Sequence, residues 1–266
     1  MSDQDMTFWD HLEEFRWVLF RIVIALLVFA VAGFVVMPWV FDHIILAPAK
    51  PDFFMYEWMC RLSQSVSFIP DFCDTDLEIK LVNLDLTAPF FRHLSTSFWL
   101  AIVLICPYIL FEVWRFIRPA LYAHEKRNVR WVFIFGSIMF FVGCSVGYSL
   151  IFPTTFRFLY TYSGALSETI QQQVSLDSYM DNFLILVLAM GLVFELPLIS
   201  WLLSQIGILR KSFFSTYRRH AIVALLIAAA IITPTGDPFT LALFFFPLYG
   251  LYELSIFFVK PDDKKT

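Results

Sequence analysis

Three carboxylates in this sequence stand out for where they sit rather than for any catalytic spacing. Glu195 lies near the centre of FLILVLAMGLVFELPLISWLLSQI (183–206), a run of 24 residues with no other ionisable side chain. An acid so placed in hydrocarbon is costly, so it needs a local partner or a task. Burial penalises the charged form, and a neutral acid is expected, able to donate one hydrogen bond and accept others. Three readings are open for it: a structural hydrogen bond to a neighbouring helix, a proton carrier for a small transported solute, or a docking point for a polar group on a partner's membrane helix. Glu14 and Glu125 pose a different question. At helical spacing Glu14 meets Asp10, His11, Trp17 and Val18, and Glu125 meets Leu121, Asn128 and Val129. Neither has a permanent cation on its own helix face. Such acids can receive a guest guanidinium in a bidentate fork, which suits Arg over Lys; equally, both can face water or pair across helices. Glu13 has Arg16 three residues on and can pair with it. Glu112, near Arg115, and Glu253, near a span end, read as structural.

Catalytic patterns are missing. There is no Gly-Lys dipeptide for a phosphate-binding loop, no HExxH and no GxSxG. The five histidines, at 11, 43, 93, 124 and 220, lie at or beyond the ends of apolar runs. The four cysteines are too scattered for a zinc site. Cys106 and Cys144 lie in apolar runs; Cys60 and Cys73 lie in a loop, where they are either reduced thiols or a disulfide worth about 3 kcal/mol in the chain-entropy model. No enzyme, metal or cofactor is expected.

The elements that must hold these acids are membrane helices. The chain is 59% hydrophobic and only 16% charged, more apolar surface than a soluble protein of 266 residues can hide. Hydropathy predicts an all-α polytopic fold, one membrane domain over 1–266, with six spans near 17–41, 95–117, 131–152, 183–206, 219–233 and 238–259 and a long acidic loop at 42–94. The first span follows an acidic, not basic, segment and is too long for a signal h-region, so it reads as a retained anchor. The fifth holds only 13 uncharged residues (221–233), about 20 Å of helix. The sixth contains Pro247 and Glu253, so the last two spans are expected to be short or broken. Pro197 removes a backbone donor and frees the Val193 carbonyl, breaking the helix beside Glu195. Of the 19 Lys and Arg, 14 fall on the side of the termini and of the loops 116–130 and 207–220. The positive-inside rule then places both termini in the cytoplasm.

Four stretches taken together resemble one family. HLEEFR (11–16), VWRFIRPALYAHEKR (113–127), VFELP (193–197) and TPTGDPF (233–239) are similar to the motifs of TatC, the polytopic subunit of the twin-arginine protein translocase. The resemblance runs in order along nearly the whole chain. It implies recognition of signal peptides bearing consecutive arginines on proteins that cross the membrane folded. By motif position, Glu14 and Glu125 correspond to signal-binding acids, and Arg16, Phe116, Pro119 and Arg127 belong to the same two motifs. Pro48 and Asp237 match outside-loop positions. Glu195 becomes the contact for a partner's membrane helix. The resemblance further implies single-span partners of the TatB and TatA type, a homo-oligomer within that complex, contact with membrane lipid, no nucleic acid, export driven by the proton-motive force, and the inner membrane of a prokaryote. Phe15 and Val18 depart from the family's usual Leu and basic residue, and the acidic section near 52–82 is longer than the family's.

Overall fold

The computed structural model describes residues 8–65, 81–117, 129–166, 173–233 and 237–259. Helix α1 (Phe8–Val40) runs 33 residues, about 50 Å at 1.5 Å per residue, more than enough to cross ~30 Å of hydrocarbon. It continues through a π turn (Phe41–Ile45) and a 3-10 turn (Ala47–Ala49) to α2 (Phe54–Ser65). Helix α3 (Ala88–Ile117) lies antiparallel to α1. The start of α1 meets the end of α3 through Phe15 and Phe116, whose ring centroids are 5.5 Å apart, and through Arg21 and Glu112 at 3.1 Å. The end of α1 meets the start of α3 where His93 Nε2 donates to the Phe34 carbonyl at 2.9 Å. We call the end at which α1 begins the near end and the other the far end.

Helix α4 (Val129–Val146) passes through a π turn (Gly147–Ile151) into α5 (Phe152–Leu166). Helices α6 (Leu176–Val193) and α7 (Leu196–Gln205) are two halves of one run, and α8 (Lys211–Thr216), α9 (Arg218–Ile232) and α10 (Pro238–Phe258) follow among the described residues. Strands β1 (Leu81–Val82) and β2 (Val174–Ser175) form a parallel two-residue pair that ties the two far-end connections together.

Helices α4 and α6 approach closely because glycines line the contact. A methyl group at Gly143 would lie 2.6 Å from the Met190 carbonyl oxygen, and one at Gly147 would lie 2.9 Å from the Val187 Cα. Small residues at such crossings let backbones pack where lipid supplies no hydrophobic drive between helices. Towards the far end, Phe152, Tyr179 and Phe183 form an edge-to-face cluster with centroids 5.0–5.1 Å from Phe152. The Tyr179 hydroxyl donates to the Ile45 carbonyl at 2.6 Å, so this buried polar tip is satisfied.

Among the described residues, five helical runs are long and apolar enough to cross a membrane: Leu12–Arg61, Ala88–Phe116, Phe133–Thr161, Leu176–Gln205 and Pro238–Phe258. The expected fifth span is α9, whose 15 residues make about 22 Å of helix and fall short of ~30 Å. Helix α10, in contrast, continues unbroken through Pro247 for 21 residues. The expected loop at 42–94 is largely structured among the described residues, holding α2 and the first turns of α3. Helix α3 starts at Ala88, not near 95, because the charge that interrupts hydropathy there, Arg92, is neutralised by Asp177 and Asp181 of α6.

Candidate functional site

The buried and half-buried carboxylates sort into those with partners and those without. Glu112, 2% exposed, faces Arg21 across the α1–α3 contact, not Arg115 on its own helix. Glu253 accepts from Arg218 and from the Tyr249 hydroxyl, each at 3.0 Å. Asp177 and Asp181, one turn apart on α6, both hold Arg92. Asp237 caps α10, accepting from the Thr240 N–H at 2.7 Å. Two are left: among the described residues, Glu14 and Glu195 hold no cation and accept no hydrogen bond on their carboxyl groups.

Glu14 is half-buried on the first turns of α1. Beside it in the chain, exposed Phe15 lies against half-buried Phe116, so α1 and the end of α3 make an aromatic contact next to an unpaired carboxylate. A planar guanidinium can use both features, pairing with the acid and stacking on a ring. Arg16 is exposed. The Glu13–Arg16 pair that the spacing allows is not made among the described residues; both side chains face outward. The reason is that spacing permits an exposed ion pair without rewarding it, such pairs being worth about 0–1 kcal/mol. Pro119, Glu125 and Arg127 lie outside the described residues.

Glu195 sits in the break between α6 and α7. Phe194 closes α6, Glu195 is the N-cap position of α7, and Pro197 occupies its first turn. The Glu195 carbonyl accepts from Ile199 at 2.9 Å, while its N–H turns back to Leu192 at 3.1 Å. The proline-broken helix is therefore observed where Pro197 demands it. The side chain is 6% exposed and points over α4, where Oε2 would lie 3.1 Å from a methyl group at Gly136. Both carboxyl oxygens lack hydrogen-bond partners among the described residues. No cluster of three or more metal-ligating side chains occurs among the described residues.

At the far end, Pro48 is buried in the 3-10 turn, and its carbonyl accepts the Tyr56 hydroxyl at 2.5 Å. The Arg157 guanidinium lies 4.8 Å from the centre of the Tyr56 ring. Cys60 is disulfide-bonded, and Cys73 lies outside the described residues. Cys106 and Cys144 are buried free thiols. The Arg92–Asp177–Asp181 group was not anticipated from the sequence. Its available signal was the pair of aspartates at i and i+4, which places two acids on one helix face at the start of a span.

Comparison with known proteins agrees with this architecture. A sequence family described as Sec-independent protein translocase protein (TatC) matches residues 10–247. The chain is 33% identical over 264 residues to the Sec-independent protein translocase protein TatC of Koribacter versatilis, covering 98% of this chain and 88% of that one. The protein of the same name from Escherichia coli K12 is 32% identical over 178 residues, 67% of each chain. A crystal structure described as the twin arginine translocase receptor TatC superposes with a TM-score of 0.73 at 30% identity, covering 94% of this chain and 99% of that one.

Proposed function

Because the chain belongs to the TatC family of Sec-independent protein translocase proteins, we propose that it is the receptor for twin-arginine signal peptides, docking their two arginines at Glu14 and Glu125. Family membership makes it a component of a translocase rather than an enzyme. The observation that carries the docking reading is that Glu14, alone among the half-buried carboxylates at the helix ends, holds no partner among the described residues while lying beside the Phe15–Phe116 contact. By motif position, Arg16, Phe116, Pro119 and Arg127 take part in the same recognition. The apolar segment of the signal then inserts along the helices.

The near end faces the cytoplasm of a prokaryote and the span is the inner membrane, a reading supported by the 14 basic residues on that side. Helix α9 is the fifth of six spans, short enough to require a locally thinned bilayer. Glu195 receives a polar group from the membrane helix of a TatB- or TatA-type subunit, within a complex that holds several copies of this chain and is driven by the proton-motive force. The support is its lack of a hydrogen-bond or ion-pair partner among the described residues at 6% exposure. Hydrogen bonds of this kind are worth about 0.6–2 kcal/mol in membranes, which favours reversible assembly. Pro48 and Asp237 act indirectly, by fixing far-end turns.

Signal-peptide photocrosslinking in Glu14→Ala/Glu125→Ala tests the docking. The double variant is expected to lose most of the crosslink while remaining in the membrane; an undiminished crosslink sinks the assignment.

A further inference from the structure

The turn from α7 into α9 carries cations that neither site above uses. Between Ile206 and Arg219 there are four basic residues, Arg210, Lys211, Arg218 and Arg219, and no acid, in a chain of net charge −4. Arg218 is committed to Glu253 at 3.0 Å. Arg210, Lys211 and Arg219 form no ion pair among the described residues. Interleaved with them are four apolar or aromatic side chains that the fold leaves exposed: Ile206, Ile208, Phe213 and Tyr217.

This surface is rigidly presented. Helix α7 ends in a left-handed glycine, Gly207 at φ 83°. Its N–H bonds the Ser204 carbonyl at 3.1 Å and the Ile208 N–H bonds the Leu203 carbonyl at 2.9 Å, the double bond of a Schellman stop. Phe214, 5% exposed, then anchors α8 against Ile256 and Val259 of the α10 end, with its carbonyl accepting the Tyr252 hydroxyl at 2.8 Å. Beside the glycine lies an open cleft of about 330 Å³, bordered by Arg210, Ser212, Thr216 and Tyr217.

The segment closes the spanning run Leu176–Gln205 and packs on the last turns of the spanning helix Pro238–Phe258. That puts it at the depth where hydrocarbon gives way to headgroups. We propose that residues 206–219 bind the headgroup of an anionic phospholipid. The apolar side chains enter the acyl boundary, and the arginine and lysine stems run alongside them to reach phosphate. A cluster of basic groups immediately beyond a membrane helix has this chemistry, each adding about 1 kcal/mol, roughly fivefold, to attraction for an anionic surface. An acidic protein segment would match the charges but leave the four apolar side chains in water. The site is independent of signal-peptide docking.

The test uses the full-length protein in bilayers doped with a photoactivatable phosphatidylglycerol or, separately, the matching phosphatidylcholine, with adducts mapped by mass spectrometry. Phosphatidylglycerol is expected to label 206–219 at least about fivefold more than phosphatidylcholine. In Arg210→Gln/Lys211→Gln/Arg219→Gln the excess is expected to vanish with signal-peptide crosslinking unchanged. Equal labelling of the unaltered chain by the two lipids overturns the proposal, as does displacement of the phosphatidylglycerol label by free inorganic phosphate. The unaltered chain alone decides the question if the triple variant fails to fold.

Discussion

Glu14 and Glu195 differ from the other buried and half-buried acids in what has been left undone for them. Arg21 and Glu112 show the alternative. Removing Arg21 leaves a 2%-exposed carboxylate without its cation, so Arg21→Ala is expected to destabilise the α1–α3 contact by about 3 kcal/mol. The loss is measured as a lowered unfolding midpoint in detergent, with Arg21→Lys recovering part of it. For Glu195 no partner among the described residues is lost on truncation. Glu195→Ala is therefore expected to fold normally, to bind signal peptide, and to block export by failing to hold its single-span partner; loss of signal binding would show the role to be misplaced. Glu195→Gln, which keeps a donor and an acceptor, is expected to retain partner co-purification within about twofold, short of the roughly 3- to 30-fold that losing a bond of 0.6–2 kcal/mol gives. Spacing along one helix exposed the isolation of both acids, because that is a property of local sequence. It could not find Arg21 opposite Glu112, which lies 91 positions away and meets it only through packing of two helices. Spacing likewise allows a local Glu13–Arg16 pair without deciding it, and that pair is not made among the described residues.

Elements are set by proline, glycine and compensated charge. Pro197 breaks α6 from α7 at Glu195, whereas Pro247 leaves α10 continuous over Pro238–Phe258. The difference is partly legible: Pro197 stands two residues after an N-cap and is tolerated in a first turn, but whether a mid-helix proline interrupts its helix depends on what replaces the lost bond. The early start of α3 was hidden because hydropathy counts Arg92 as a cost, and the carboxylates that remove that cost come from α6. The α4–α6 crossing rests on Gly143. Gly143→Ala would drive a methyl group to 2.6 Å from a backbone oxygen, a contact no side-chain rotation relieves. It is expected to lower the unfolding midpoint and to weaken a disulfide engineered across α4 and α6; unchanged crosslinking efficiency would show that the helices part at no cost. Gly136→Ala is expected to be milder, since the close neighbour is the Leu198 side-chain tip.

At the scale of the whole molecule, the membrane class and the order of the long helices follow from apolar content, which is why composition alone exposed them. Far-end structure did not show in the same way. The parallel β1–β2 pair, the Tyr56–Pro48 bond and the Tyr179–Ile45 bond all join segments whose local patterns carry no sign of each other. These contacts fix the far end, while at the near end Glu14 holds no partner among the described residues. The most direct measurement is titration of the purified full-length protein with a signal peptide carrying consecutive arginines. A charge-assisted bond of 1.5–3 kcal/mol sets the expected scale. Glu14→Gln should bind about 10- to 150-fold more weakly, and Glu13→Gln, on the same helix but exposed, within about twofold of the unaltered chain. Equal affinity of Glu14→Gln and the unaltered protein would contradict the assignment of Glu14 as a docking site for arginine.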